Sequence, residues 1–258
     1  KLAVLLAPLF DALSYFKKFS QNYVIIGGTA CDLIIDEAGF YPRATKDIDL
    51  ILVVEALTSD FVKQFWQFVK DGRYERNESS DTERKYYRFV KPEQEEFPFQ
   101  IELFSRNPDL IHIDEGIHLT PIPTPDDLSS LSAILLNEEY YGFILEHSRE
   151  VNDLHRANIE SLICLKAKAY LEITERIKKG SKEDSKLLRK HKGDIFRLGA
   201  MLPEGDQFEL PGSIKNDMTN FIKDITEELP GKELFRNMGI GRVSPESVLD
   251  QLIKLFSL

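Results

Sequence analysis

Asp47 and Asp49 flank Ile48 at the start of the run Asp-Ile-Asp-Leu-Ile-Leu, residues 47–52. On a strand, residues two apart share a face, so both carboxylates point one way while Ile48 points into the core. Side by side they repel each other unless a cation stands between them. A divalent ion answers that need, since Mg²⁺ takes one or two carboxylates together with phosphate oxygens. Alone, such a pair is also what a strand end decorated with solvated acids looks like. About twenty residues earlier, however, Gly27-Gly28-Thr29 follows the apolar run Tyr23-Val24-Ile25-Ile26 and opens a helical pattern. A strand-to-helix turn of that kind points backbone N–H groups and the positive end of a helix outward together, which suits phosphate. Arg43 and Lys46 flank the two acids with positive charge suited to a polyphosphate. Turn and acids together describe a site for a nucleotide and a metal ion.

The elements that must hold these groups can be traced from periodicity. Residues 4–18 carry Leu5, Leu9, Leu13 and Phe16 at helical spacing, which predicts an amphipathic helix in a chain that begins without Met. Asp11 and Lys17 follow without a small-residue cleavage site, which argues against a secretory leader. A short buried strand over 23–26 leads to a helix over 29–38 closed by Gly39, and 47–54 reads as a strand. A helix over 59–70 follows, with Phe61, Phe65, Trp66 and Phe68 as core residues. Strand-like runs at 84–90 and 97–104 are separated by a polar turn, and Thr124-Pro125 opens a helix to about residue 136. Residues 140–145 read as a strand. Helices alone follow: 158–179, 183–201, 213–229 and 245–256. The organisation is therefore α+β, a mixed sheet with flanking helices over 1–150 and a helical domain over 151–258.

The combined pattern G-G-T-A-x-D-L…R-A-T-K-D-I-D-L resembles the signature of the nucleotidyltransferase superfamily, with its polymerase-beta-like fold, over residues 27–52. The Arg-x-Thr-x-Asp-Ile-Asp form is similar to its AbiEii/AbiGii toxin branch in particular. The resemblance implies a two-ion Mg²⁺ site on three carboxylates, the third on a later, adjacent strand. In Phe99-Gln100-Ile101-Glu102-Leu103-Phe104, alternation places Phe99, Ile101 and Leu103 inward and Gln100 with Glu102 on the other face, so Glu102 is the candidate; the family more often has Asp there. The resemblance also implies that Gly27, Gly28, Thr29, Arg43, Thr45 and Lys46 seat an NTP. Lys166 falls on the apolar stripe of the 158–179 helix, where it either snorkels or reaches a buried anion, and the family places such a lysine over the nucleotide phosphates. Lys168 lies opposite, near Glu172 at i+4, and is expected in a solvated pair. Asp194, on a helix segment also similar to the family, either orients Lys166, contacts the base or sugar, or is with His191 a satisfied core polar group.

Overall charge narrows the partners. The 258 residues carry a formal net charge of −10, which argues against broad attraction to nucleic acid. The stretch 176–197 nonetheless holds nine Lys/Arg against three Asp/Glu, a local +6. A basic rim there, including Lys190 and Lys192, would draw an RNA acceptor to the site. No window reads as a membrane span, Cys31 and Cys164 read as core thiols, and a cytoplasmic home follows by default. The expectation is an enzyme moving an NMP from an NTP to an acceptor hydroxyl, as a toxin with an antitoxin partner or a phage-defence protein. Transfer to a protein or small molecule, and a degenerate nucleotide-binding module, are the alternatives.

Overall fold

Apolar residues at every position of Tyr23–Ile26 (β1), all fully buried, make this strand the centre of the sheet. In the computed structural model, which describes residues 11–43, 45–74, 86–104, 137–180 and 185–258, six strands form one mixed sheet in the order β3-β4-β2-β1-β6-β5. The strands are Asp47–Leu52 (β2), Tyr86–Val90 (β3), Gln100–Phe104 (β4), Ser148–Val151 (β5) and Leu154–Ala157 (β6). β1 runs antiparallel to β2 and parallel to β6, while β2 runs parallel to β4. β3 and β5 close the two edges by antiparallel pairing with β4 and β6. The helices are Gly27–Glu37 (α1), Ser59–Gly72 (α2), Glu138–Glu146 (α3), Ile159–Lys178 (α4), Ser185–Gly199 (α5), Gly212–Ile225 (α6), Glu233–Met238 (α7) and Pro245–Leu255 (α8). The α+β class and the mixed sheet follow the sequence reading.

Two compact units alternate along the chain. The first comprises Lys1–Asp32, Arg43–Leu135 and Ser148–Ala157; the second comprises Leu33–Pro42, Leu136–His147 and Asn158–Leu258. Residue 150, expected from the sequence as a domain boundary, lies within the strand Ser148–Val151 of the first unit.

The first unit contains the whole sheet. Helix α2 starts where the Thr58 hydroxyl accepts the Phe61 N–H (3.3 Å) and ends at Arg73 in the left-handed region. Its Phe61, Phe65, Trp66 and Phe68 are buried, as expected, and the first three meet aromatic residues of the sheet. Tyr23 stacks on Phe61 (6.0 Å between centroids), and Phe65 meets Phe89 edge-on at 5.4 Å. This aromatic core occupies the sheet face of Ile48, Leu50 and Ile101, so the opposite face is left to the acids. Phe99 departs from its expected inward position. It lies just before β4, 55% exposed, because alternation starts only where the ladder does, at Gln100.

In the second unit, α4, α5, α6 and α8 pack around Ile163, Phe196, Phe221 and Leu252, all buried. Two departures concern residues 137–157. Tyr140–Leu145 is helical, not a strand, because the Asn137 side chain accepts the N–H of Glu139 (2.9 Å) and so nucleates α3. The unanticipated β5–β6 hairpin, which belongs to the first unit, turns at Asn152 and Asp153, both at positive φ (53° and 63°). The expected helix to residue 136 lies outside the described residues, as do residues 4–10 of the one over 4–18, whose residues 11–14 are helical.

Candidate functional site

Strand β2 delivers Asp47 and Asp49 to one face, each half-buried, with Ile48 and Leu50 fully buried on the other. Asp49 is in register with Glu102 on the parallel neighbour β4 and with Ile26 at the end of β1. Glu102, the acid expected from strand alternation, therefore stands beside Asp49. Glu102 is 9% exposed, and Arg88, in register with it on β3, donates from Nε (2.5 Å) and Nη2 to Glu102 Oε1. The three acids share a face, but Glu102 is committed to a guanidinium. Among the described residues, no group of three or more His, Cys, Asp or Glu side chains is arranged to hold a metal ion.

The turn that leads from β1 into α1 is fitted closely to these acids. Gly27 has φ 68°, and a Cβ there would lie 1.8 Å from Asp49 Oδ2. Only glycine meets both demands. A Cβ on Gly28 would come within 2.7 Å of Thr45 Oγ1, so the first turn of α1 lies against the 43–46 loop as well as against β2. Thr29 is fully buried and its hydroxyl donates to the Asp47 carbonyl, which ties α1 to the start of β2 rather than offering a group outward. The first N–H groups of a helix have no intrahelical acceptor, and this helix start lies beside the Asp49 carboxylate.

Asp32, one turn beyond Gly28, received no role in the sequence reading. It is 1% exposed, and its carboxylate accepts the N–H of Arg43 (3.2 Å) and of Thr45 (2.5 Å). A carboxylate buried on two backbone donors is stabilised by charge-assisted hydrogen bonds. It fixes the loop on which Arg43 and Lys46 stand exposed. The available signal was the i, i+4 spacing of Gly28 and Asp32 on α1, which puts both on the side facing that loop. Arg88 carried no sequence signal, because cross-strand pairing is not written in spacing.

The remaining candidates lie in the helical unit. Lys166 and Asp194 are 5% and 2% exposed and form an ion pair at 2.8 Å across α4 and α5. The lysine on the apolar stripe thus reaches a buried anion, one of the two alternatives the sequence left open. Asp194 also accepts from Arg197 Nη1 at 3.1 Å, so its two oxygens serve two cations. Lys168 is not in a solvated pair with Glu172. Its ammonium lies 3.1 Å from Asp217 on α6, and the Tyr140 hydroxyl donates to the same carboxylate at 3.0 Å. Burial pushes the Glu172 carboxyl up to about 7, against the pull of Lys168. Lys192 also departs from expectation. It is buried, 7% exposed, and donates to the Glu228 carbonyl at 2.7 Å, so it is no part of a solvent-facing rim. Cys31 and Cys164 are buried thiols outside any disulfide, as expected.

No protein-family model matches this chain, and no curated protein does either.

Proposed function

We propose that this chain is a metal-dependent nucleotidyltransferase of the polymerase-beta-like type, moving an NMP from an NTP to an acceptor hydroxyl. One observation carries the reading: Asp49 stands in register with Glu102 and is cradled by Gly27, at the start of a helix whose first amides are free of intrahelical bonds. The acids fit a divalent ion at two positions, Asp47 and Asp49, which share a half-exposed face; Arg88 occupies the third. Mg²⁺ bound there would neutralise the triphosphate oxygens and activate the acceptor hydroxyl.

The chain's own groups supply binding and orientation. The amides at 27–29 receive phosphate oxygens, and Asp32 holds Arg43 and Lys46 where their charge meets the polyphosphate. The acceptor oxygen attacks the α-phosphorus in line. A new P–O bond forms, the bond to the β-phosphate breaks, pyrophosphate leaves and the hydroxyl proton passes to solvent.

Incubation with each labelled NTP, Mg²⁺ and total cellular RNA, scored for label in RNA, in protein or in neither, tests the reading. Transfer is expected in the wild type and a loss of at least about 10³-fold in Asp47→Asn/Asp49→Asn, with the fold retained. A double variant as active as wild type overturns it. The ion pair between Arg88 and Glu102 favours a second reading, a nucleotide-binding module without turnover. Stabilisation against heat by NTP and Mg²⁺ with no label transferred would select that one.

A further inference from the structure

Three adjacent strands bring Arg88, Glu102 and Asp49 into one row on the acidic face, because Arg88 is in register with Glu102 and Glu102 with Asp49. Neighbouring strands stand about 4.8 Å apart, so the guanidinium and the two carboxylates are close electrostatic neighbours. The Arg88 and Glu102 side chains are only 15% and 11% exposed, and two N–H groups of the arginine converge on one oxygen of the acid. A carboxylate so far out of water needs a cation on it. Arg88 is that cation, and two N–H groups of its planar fork are spent on the acid. A second divalent ion seated between Asp49 and Glu102 would face this fixed charge on the carboxylate it needs.

We propose that Arg88 takes the place of a second metal ion: the chain binds one divalent cation, through Asp47 and Asp49, and Glu102 serves as counter-ion to Arg88 rather than as a ligand. This rests on the metal-and-nucleotide reading of the same face. It also gives Arg88 a reason to lie on the edge strand beside the acids, because three like charges on one face need more than one positive charge among them.

Counting bound Mn²⁺ by electron paramagnetic resonance on the full chain tests it. One ion per chain is expected in the wild type, the same single ion in Glu102→Gln, and none in Asp47→Asn/Asp49→Asn. Arg88→Gln releases Glu102 and is expected to add a second ion or to tighten the first by about tenfold or more, while Arg88→Lys retains one. Two ions in the wild type, with one lost in Glu102→Gln, overturn the inference and leave the metal reading standing. A folded Arg88→Gln with unchanged count and affinity overturns it in the same way. No bound Mn²⁺, or binding that survives removal of both aspartates, overturns the metal reading itself and this inference with it. Should Arg88→Gln fail to fold, the comparison of wild type with Glu102→Gln still decides.

Discussion

Gly27 meets two separate demands, and a substitution tests them separately. Its φ of 68° costs an alanine about 1–2 kcal/mol, and the Cβ would collide with Asp49 Oδ2 as well. Gly27→Ala is therefore expected to lower stability in urea melts by more than the backbone cost alone. Combining it with Asp49→Gly removes the collision but not the φ cost, so the double variant is expected to be less destabilised than the sum of the singles, by about 0.5–3 kcal/mol of coupling. Additive losses would show that α1 does not press on Asp49. Asp47, Asp49 and Glu102 were legible in the sequence because strand alternation is a strict period of two. Arg88 and Asp32 were not, because an ion pair across strands and an anchor across a loop depend on register and chain path. Thr29 was placed in the turn correctly as a residue, but its hydroxyl is spent on the Asp47 carbonyl rather than held outward.

Between elements, the buried pair of Lys166 and Asp194 joins α4 to α5, and its asymmetry has a measurable consequence. Asp194 answers two cations, Lys166 through Oδ2 and Arg197 through Oδ1, whereas its replacement removes the acid from both at once. Asp194→Asn leaves a buried ammonium beside a guanidinium and is expected to cost about 3–5 kcal/mol in urea denaturation. Lys166→Met is expected to cost less, because Arg197 still neutralises the acid. Equal losses would mean that Arg197 contributes nothing to the balance. At this scale the long helices were legible from their 3.6-residue stripes, and the 158–179 expectation matches α4 to within a residue at each end. The 140–145 segment was misread because Tyr-Tyr-Gly-Phe favours a strand locally, while the Asn137 cap and the Tyr140 bond to Asp217 favour the helix. The hairpin that follows was signalled by Asn152-Asp153, two residues that tolerate the left-handed region, placed between short apolar-polar runs.

For the whole molecule, the local +6 of residues 176–197 gives a smaller outward field than its count suggests. Lys178 pairs with Asp224, Lys179 with Glu175, Lys192 with Glu228 and Arg197 with Asp194. Four of the nine cations thus face acids of their own unit, and a polyanion finds fewer of them to displace counterions from. Lys192→Glu is accordingly expected to act as a folding mutation, lowering the melting temperature by several degrees. Lys190→Glu, on a half-buried residue of the same helix, is expected to leave it within about a degree or two. A selective loss of RNA binding in Lys192→Glu at unchanged melting temperature would contradict the buried position of its ammonium. The distribution of charge along the chain was legible, but not which charges face one another, since that depends on how α4, α5 and α6 pack.

The parallel pairing of β1 with β6 sets an order on synthesis. β1, β2 and β4 leave the ribosome early and can align, yet one side of β1 stays bare until Leu154–Ala157 has been made. At about 5–20 residues per second that is a wait on the order of ten seconds. Throughout it, the wholly apolar run Tyr-Val-Ile-Ile presents unpaired backbone groups to any passing strand, the condition under which nascent chains associate wrongly. A chain released before residue 157 would carry every acid of the site and still lack the strand that seals the sheet. What shelters that edge during elongation is therefore a factor in soluble yield separate from the stability of the finished protein.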